Sequence, residues 1–264
     1  TTWRLAAMNL AIRGFAADLG KENGDTFAND QFPDLKFDFI LSNPPFNDSE
    51  WGGEKYNDDK RWGFGVPPTS NANYAWLQHI IWKLKPGGKA GVILGSSSVS
   101  ARGVEGEIRA RLVDAGHVAA IISLPAKIFV NTLSTSTCIW LLHKTPIKHR
   151  RILLVDATAL STPVTDILSE MNDDAIRTIS DTVKSWENSV GYEDCIAYCK
   201  EVDIEEIQAK NYSLNPTRYV GFSTKLDRPC STEELSDLFK KYQLLKSQSE
   251  LLDERMKSSL EGGL

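Results

Sequence analysis

The sequence predicts an α/β protein built around a largely parallel sheet with helices on both faces. Short apolar runs of strand length alternate along the chain with longer segments whose apolar residues recur at helical spacing. Residues 37–41, sequence FDFIL, form a continuous apolar run between turn residues, which is typical of a buried parallel strand. Further along, Pro86-Gly87-Gly88 follows a helix-like segment and predicts that a helix ends there.

Three helices are expected in the first half of the chain. In the first, Leu5, Met8 and Ile12 fall on one face. The predicted helices span 1–15, 71–85 and 105–115. Further strands are predicted at 90–94, 118–124, 137–142 and 152–156. The connection between 118–124 and 137–142 is too short for a crossover helix, so this pair is expected to be antiparallel at an edge of the sheet. Residues 157–230 carry no strong pattern and predict mixed helix and loop.

The bulk composition limits the possible classes of protein. The 264 residues are 41% hydrophobic and 25% charged, and the longest apolar runs have the length of a strand, so no membrane segment is expected. Cys195 and Cys199 have no neighbouring ligands that would complete a zinc site. We therefore expect free thiols in a reducing cytoplasm and no metal. Because the chain opens with Thr1 inside a predicted helix, we expect a fragment or a processed piece.

The net charge of −5 is unevenly distributed, since residues 1–144 carry +1 and residues 145–264 carry −6. A protein that binds DNA by itself usually has a basic surface. The sequence therefore predicts that most phosphate contacts come from a partner or from sequence outside this chain.

The tetrapeptide Asn43-Pro44-Pro45-Phe46 follows directly on the strand at 37–41, where open α/β sheets bind their ligands. The exocyclic amine of a nucleobase is a poor nucleophile, because its lone pair is delocalised into the ring. Two acceptors on its N–H bonds would restore electron density. The Asn43 side-chain oxygen and the Pro44 carbonyl can be those acceptors, held in place by the two prolines. Phe46 offers a face on which an extruded base can stack.

The loop that follows the tetrapeptide is unusually long. Residues 47–70 are polar and rich in Gly and Pro, yet they contain Trp51, Tyr56, Trp62 and Phe64. Long loops in compact domains are usually functional or disordered. The aromatic segment 51–64 is either a lid over DNA or a surface loop held by one or two buried aromatic residues.

The end of the chain predicts one more helix. Ser231 and Glu234 form a capping box. The residues of a mostly apolar stripe then follow at spacings of three and four over about three heptads: Leu235, Leu238, Tyr242, Leu245, Ser249, Leu252 and Met256. This stripe would pack either on a helix of a partner protein or on the chain's own domain.

These segments together resemble the modification subunit of type I restriction–modification systems, in the family of N6-adenine DNA methyltransferases. The matching segments are TTWRLAAMNLAIRG, GDTF, FDFILSNPPFN, LKPGGKAGVIL, SLPAKIFVNTLSTSTCIWLLHK and KNYSLNPTRYV. The resemblance implies a Rossmann-like S-adenosylmethionine-dependent methyltransferase sheet with its N-terminal strands missing and a C-terminal helical tail. It divides the chain into a partial catalytic domain at 1–156, an extension at 157–230 and a terminal helix at 231–264.

The resemblance also implies the roles of several residues. Asn43, Pro44, Pro45 and Phe46 would bind a flipped adenine, and Phe129 would supply a second aromatic ring against it. From the residue alone, Phe129 is more often a core residue. In the matching GDTF segment, Asp25 and Thr26 would contact the adenine of S-adenosylmethionine.

The partners implied are DNA, a specificity subunit and a restriction subunit that acts as motor and nuclease. The family's glycine-rich cofactor loop is absent from this sequence, as is the acidic residue that binds the cofactor ribose. We therefore expect the strand at 37–41 to present an unpaired edge. We also expect the isolated chain to bind the cofactor poorly and to be inactive.

Two other functions remain open on the sequence. Asn-Pro-Pro-aromatic tetrapeptides also occur in methyltransferases acting on guanine N2 of ribosomal RNA and on the glutamine amide of release factors. A structural subunit without catalysis is the alternative of another class, and the absent cofactor loop and the terminal helix favour it.

Overall fold

A computed structural model describes residues 2–129, 136–146, 150–165 and 168–222, together with the helical positions 240, 243 and 246. Thr1–Gly221 forms one compact unit and Phe222–Leu264 another. The terminal helix predicted at 231–264 lies outside the described residues, apart from those three positions. The three-part division of the chain stays a prediction.

The described helices are α1 (Thr2–Ile12), α2 (Asn73–Lys83), α3 (Gly103–Asp114), α4 (Asp173–Glu187) and α5 (Ile204–Ala209). The strands are β1 (Phe37–Ser42), β2 (Leu84–Gly95), β3 (Val118–Ser123), β4 (Thr137–His143), β5 (Arg151–Asp156), β6 (Thr162–Pro163), β7 (Ser169–Glu170) and β8 (Cys199–Asp203). The predictions of α1, α2, α3 and β1 to β5 are confirmed to within a few residues. Only β2 begins markedly earlier than predicted. It starts at Leu84, directly after α2, and runs through Pro86-Gly87-Gly88.

The main sheet has the order β1-β2-β4-β3-β5-β8. The prediction of a largely parallel sheet is wrong, since β1–β2 and β3–β5 pair in parallel but β2–β4, β3–β4 and β5–β8 pair antiparallel. The antiparallel pairing of β3 with β4 is confirmed, but its predicted position at an edge is wrong. β4 lies between β2 and β3, because its residues are apolar on both faces and suit an interior position.

β1 is the edge strand of this sheet within the described residues. It pairs with β2 alone, with Leu41 opposite Gly91 and Ser42 opposite Val92. Phe39 is 77% exposed and Leu41 89% exposed, whereas Ile40 packs against the core. The predicted parallel strand with an unpaired edge is confirmed. The prediction that this strand is buried is wrong, because one of its faces has no covering element among the described residues.

The core occupies both faces of the sheet. On one face α2 and α3 pack against β2, with Tyr74, Leu112 and Trp140 fully buried. On the other face α4 packs against β3 and β5 through Ile179 and Trp186. The predicted cover of helices on two faces is therefore confirmed.

Residues 157–222 contain more order than the sequence indicated. β8 pairs with β5, and α4 begins at a cap in which the Asn172 side chain accepts a hydrogen bond from the Ala175 N–H. β8 was missed because its sequence, CKEVD, is polar and only Cys199 and Val202 are buried. No helix in the described part of the chain is both long and apolar enough to cross a membrane.

Candidate active site at the tip of the first strand

Asn43-Pro44-Pro45-Phe46 directly follows Ser42, the last residue of β1, and therefore lies at the carboxyl end of that strand. β1, β2 and β3 all run in the same direction, so their carboxyl ends lie along one edge of the sheet. Ligands of α/β proteins usually bind at this edge. The fold therefore presents the tetrapeptide where a substrate can reach it.

The two predicted acceptors make no hydrogen bond with any residue that the structure describes. Asn43 is exposed, and no described donor reaches its side-chain oxygen or the carbonyl of Pro44. Pro44 is buried and Pro45 is exposed. An acceptor already bonded within the protein would have little capacity left for a substrate amine, and no described residue takes up that capacity here.

The two predicted stacking residues belong to different parts of the core. Phe46 is half-buried and packs against the core on the face of α2 and α3. Phe129 is half-buried too, but it packs against the cluster on the opposite face, with Ile122 and Leu124. The structure does not bring the two rings together. The packing of Phe129 is that of a core residue, and its role against the base stays a prediction.

The segment predicted to contact the cofactor forms a tight turn. One carboxylate oxygen of Asp25 accepts hydrogen bonds from the N–H groups of Phe27 (2.8 Å) and Ala28 (3.2 Å). The other oxygen of this exposed carboxylate makes no hydrogen bond with a described residue. Thr26 is half-buried, and its carbonyl accepts a hydrogen bond from Arg61 at 3.3 Å. The carboxylate of Asp25 thus shapes the turn and keeps one oxygen available.

A cavity of about 460 Å³ joins this turn to the base of the tetrapeptide. Gly24, Thr26 and Ser42 line it, with Ser42 adjacent to Asn43 along the chain. Its remaining walls come from the exposed face of β1 and from α2, including Trp76. The cavity is mostly apolar, although the ion-paired side chains of Asp30 and Lys83 also line it, and this is typical of a ligand pocket of this size. The Trp76 indole nitrogen has no hydrogen-bond partner among the described residues, but it is buried and is not exposed to the cavity.

Arg61 ties the aromatic loop to the Asp25 turn. Its guanidinium donates to both carboxylate oxygens of Asp59 at 2.9 and 2.6 Å. It also donates to the carbonyls of Thr26 and Phe27, at 3.3 and 2.8 Å. Burial acts to raise the pKa of the Asp59 carboxyl, but the hydrogen bonds from Arg61 outweigh it and hold that pKa below its usual value. The ion pair therefore remains charged at neutral pH and fixes the turn.

His79 lies against the same guanidinium and lines the cavity. Its ring Nδ1 is 3.2 Å from an Arg61 nitrogen. Burial, together with the nearby charge of Arg61, lowers the pKa of His79 to about 4. The imidazole is therefore neutral near pH 7, with Nδ1 as the acceptor and the proton on Nε2.

The aromatic residues of the loop at 51–64 point inward. Trp51 and Trp62 are 5% and 8% exposed and form a cluster with Phe27, Tyr56 and Trp76. The Phe27 ring lies 5.2 Å from Trp51 and 4.6 Å from Trp76, between ring centroids. Of the two predicted alternatives, the packing favours a loop held by buried aromatic residues, and these rings are not presented to a ligand.

Asn47, Arg61, Asn73 and Trp76 are residues of the site that sequence reasoning missed. Their long-range contacts join segments 18 to 50 positions apart in the chain, which no local pattern reveals. The only available signal was the cluster of Asn71 and Asn73 before an apolar helix, which is typical of a helix start. Among the described residues, no three His, Cys, Asp or Glu side chains converge on a position for a metal ion.

The sheet has the fold of the S-adenosylmethionine-dependent methyltransferases, and the Asn-Pro-Pro-Phe turn lies at its carboxyl edge. The crystal structure of the methyltransferase subunit of a type I restriction–modification system from Streptococcus thermophilus superposes with a TM-score of 0.72 at 31% identity. The match covers 84% of this chain and 46% of that one.

The family model for N-6 DNA methylase matches residues 1–228, and the chain belongs to that family. It is 43% identical over 228 residues to the type I restriction enzyme HindI methylase subunit of Haemophilus influenzae, covering 86% of this chain and 51% of that protein. It is 31% identical to the MjaIX methylase subunit of Methanocaldococcus jannaschii, covering 98% of this chain and 48% of that protein. The chain thus spans about half the length of these relatives, and the resemblance seen in the sequence is confirmed.

Proposed function

We propose that this chain supplies the amine-binding part of an enzyme that methylates adenine N6 in DNA. The observation that carries the proposal is the pair of free acceptors, Asn43 Oδ1 and the Pro44 carbonyl, at the carboxyl end of β1. The names of its relatives, type I restriction enzyme methylase subunits, support DNA as the substrate. They also support assembly with specificity and restriction subunits, and the cytoplasm as the location.

The chain's own residues bind and orient the target amine. Asn43 and Pro44 each accept one N–H of the adenine amino group, so its nitrogen gains electron density and its lone pair faces away from the ring plane. Phe46, anchored in the core from one side, supports the extruded base by stacking. No described side chain near the turn is needed as a general base, because the amino proton can leave after methyl transfer.

S-adenosylmethionine supplies the methyl group from its sulfonium when it is bound. The cavity between the Asp25 turn and Ser42 fits the adenosine portion of this cofactor, since it has a volume of about 460 Å³ and a mostly apolar lining. Gly24 and Thr26 would hold the base there, with the free carboxylate oxygen of Asp25 nearby. The methionine portion has no comparable cradle among the described residues.

The open face of β1 leads to an expectation about the isolated chain. Phe39 and Leu41 wall the cavity on that face and are themselves largely exposed. A pocket open on one side buries little of its ligand, so we expect weak cofactor binding and no activity from the chain alone. Isothermal titration of the chain with S-adenosylmethionine tests this. A dissociation constant in the micromolar range would contradict it.

The decisive experiment replaces Asn43 by Ala in the protein as its gene encodes it, assembled with its partner subunits. We expect methyl transfer to DNA to fall by about 10²–10³, the usual cost of removing one preorganised hydrogen-bonding group from a reaction centre. Asn57→Ala is the matched control, because Asn57 is also exposed and its side chain only donates to the Glu54 carbonyl at 3.4 Å. The control should retain full activity.

The same assay separates the competing functions. DNA, ribosomal RNA and a release factor are offered in parallel with tritiated cofactor. Transfer to RNA or to protein but not to DNA would reject the proposed substrate. Unchanged methylation of DNA by Asn43→Ala would reject the proposed role of the turn and favour a structural function for this region.

A further inference from the structure

Two side-chain amides, of Asn47 and Asn73, hold the far end of the proposed amine-binding turn. Asn47, the residue after Phe46, donates its backbone N–H to the side-chain oxygen of Asn73 at 3.0 Å. The Asn73 side-chain nitrogen donates back to the side-chain oxygen of Asn47 at 2.9 Å. Asn73 is the first residue of α2 and is 1% exposed. The pair therefore closes a reciprocal ring of two hydrogen bonds between the buried Asn73 side chain and the exposed Asn47.

Further hydrogen bonds converge on the same point. The Asn47 side-chain oxygen also accepts from Asn71 Nδ2 at 3.3 Å and from Ser97 Oγ at 3.5 Å. The Ala72 N–H donates to the Asp48 carbonyl at 2.9 Å. Three separate segments thus meet at Asn47: the tip of β1, the start of α2 and the turn after β2.

The backbone at Asn47 also requires a particular kind of residue. Its φ of 54° lies in the left-handed region, which asparagine tolerates better than most residues with a Cβ atom. This conformation turns the chain away from the sheet directly after Phe46. The position therefore demands both a left-handed backbone and a side-chain acceptor.

A diproline turn is stiff within itself but needs support at both ends. The two prolines fix φ at positions 44 and 45, and the pairing of Ser42 with Val92 fixes the amino end of the turn. Within the tetrapeptide, only the packing of the Phe46 ring against the core holds the carboxyl end. The hydrogen bonds between Asn47 and Asn73 fix the backbone directly after it.

We propose that Asn47 and Asn73 are positioning residues that fix the orientation of the Asn43 side-chain oxygen and the Pro44 carbonyl oxygen. The inference rests on the proposed function of that turn. Neither residue touches the substrate amine. They act through the backbone of 44–47, and loss of the anchor lets the two acceptors drift relative to the cofactor. A misplacement of about 1 Å in a reaction centre costs on the order of 10² in rate.

Gln78 provides a matched control for a merely structural role. It lies on the same helix and is also 1% exposed. Its side chain likewise makes two hydrogen bonds to a loop, accepting from the Phe64 N–H at 2.9 Å and donating to the Gly65 carbonyl at 2.8 Å. It has no contact with the tetrapeptide, so Gln78→Ala removes a similar amount of buried hydrogen bonding elsewhere.

The test compares Asn73→Ala with Gln78→Ala in the assembled protein. Methyl transfer is measured on DNA with adenine at the target position, and base extrusion on matched DNA with 2-aminopurine at that position. We expect both variants to lower the unfolding temperature by similar amounts. Only Asn73→Ala should lower kcat on the adenine DNA, by about tenfold or more, with a KM for S-adenosylmethionine within twofold of the parent. On the 2-aminopurine DNA it should also reduce the fluorescence rise that reports departure of the target base from the base stack. Equal kcat losses in both variants, or no kcat loss in either, would overturn the proposal.

Asn47→Gly keeps the test decisive if Asn73→Ala fails to fold. Glycine adopts a φ of 54° without strain and retains the N–H that donates to Asn73, so only the side-chain acceptor is lost. We expect a smaller but clear fall in kcat with little change in unfolding temperature, and an unchanged kcat would contradict the positioning role. Asn43→Ala in the same assay distinguishes a failure of the proposed function from a failure of the anchor alone. If it preserves methylation, the proposed function itself fails, whereas its inactivity beside a fully active Asn47→Gly rejects only the anchor.

Discussion

Two irregular segments follow β1, and they treat their polar groups in opposite ways. In the turn at 43–46, the side-chain oxygen of Asn43 and the carbonyl of Pro44 have no partner among the described residues. In the aromatic loop at 51–64, the Trp62 N–H donates to the Tyr56 carbonyl, and Arg61 donates to four separate acceptor groups. The short segment leaves these two acceptors unused, whereas the long one directs the side-chain N–H groups of Trp62 and Arg61 to partners within the protein.

This difference separates residues that act on a substrate from residues that hold the fold. Unused acceptors at a ligand-binding edge cost stability unless water or a substrate satisfies them, which is why they are informative. Buried aromatic rings with satisfied N–H groups contribute to stability instead. Changes in the loop should therefore alter unfolding, and changes in the turn should alter activity alone. Asn43→Ala should change the free energy of unfolding by less than about 0.5 kcal/mol.

The largest effect on stability is expected from Trp62→Ala in the loop. This ring is 8% exposed and packs against Phe27 with 6.2 Å between centroids. Its removal leaves a cavity and should lower the free energy of unfolding by about 3–5 kcal/mol in urea denaturation. Trp82→Ala is the control, because Trp82 is 38% exposed on the same domain. A similar loss in both variants would mean that the loop is not packed as described.

The next largest effect is expected from Arg61→Ala. The Arg61 and Asp59 side chains are 10% and 20% exposed, so removing the guanidinium leaves a partly buried carboxylate and two carbonyls without their donor. We expect a loss of about 2–3 kcal/mol in the same denaturation experiment. Arg177→Ala, whose exposed pair with Asp174 is 3.8 Å long, should cost less than about 0.5 kcal/mol. Equal losses would show that the Arg61 hydrogen bonds form no anchor in solution.

The sequence predicted what local pattern encodes. Continuous apolar runs located β1 to β5, and Asn43-Pro44-Pro45-Phe46 was found because a strand-then-turn signal is contiguous. The position of β4 inside the sheet was missed, because strand order depends on contacts between residues about 45 positions apart, such as Val92 with Trp140. Antiparallel pairing could be inferred from loop length, but the choice between edge and interior could not.

The site was predictable only in the same limited sense. The aromatic residues of the loop were conspicuous in the sequence, but whether a tryptophan points inward or outward is decided by tertiary packing. Arg61 and Asn73 looked like an ordinary charge and an ordinary helix start. Their importance lies in partners 18 to 35 residues away in sequence, Phe27 and Asn47 among them, which only the folded chain brings together.

The pH dependence of stability is expected to report on the Arg61 anchor through His79. Its pKa in the folded state is about 4, below the ordinary value of 6.5, so between these values the unfolded chain binds a proton that the folded chain does not. Stability therefore falls as pH drops from about 6.5 towards 4. From pH 7 to pH 5 the loss from this one residue should be about 2 kcal/mol.

The measurement is the difference between the parent and His79→Gln in urea denaturation at pH 7 and pH 5. His117, whose pKa burial also lowers, remains in both proteins and cancels. We expect the parent to lose about 2 kcal/mol more than the variant over this range. Parallel losses would mean that His79 is not buried against Arg61 in solution.

The smallest effect on the free energy of unfolding is expected from a change on the exposed face of β1. The two faces of this strand differ in the same way as the turn and the aromatic loop, since one is exposed and the other packs against the core. Leu41 is 89% exposed and Ile40, its neighbour, packs against the core. Leu41→Ser in this chain should change the free energy of unfolding by less than about 0.5 kcal/mol, whereas Ile40→Ala should cost about 1–2 kcal/mol. The same Leu41→Ser change, made in the protein as its gene encodes it, asks whether another segment covers this face there. A cost that rises to that of Ile40→Ala would show that the face is buried in the complete protein, and a large cost in the chain alone would contradict the open edge.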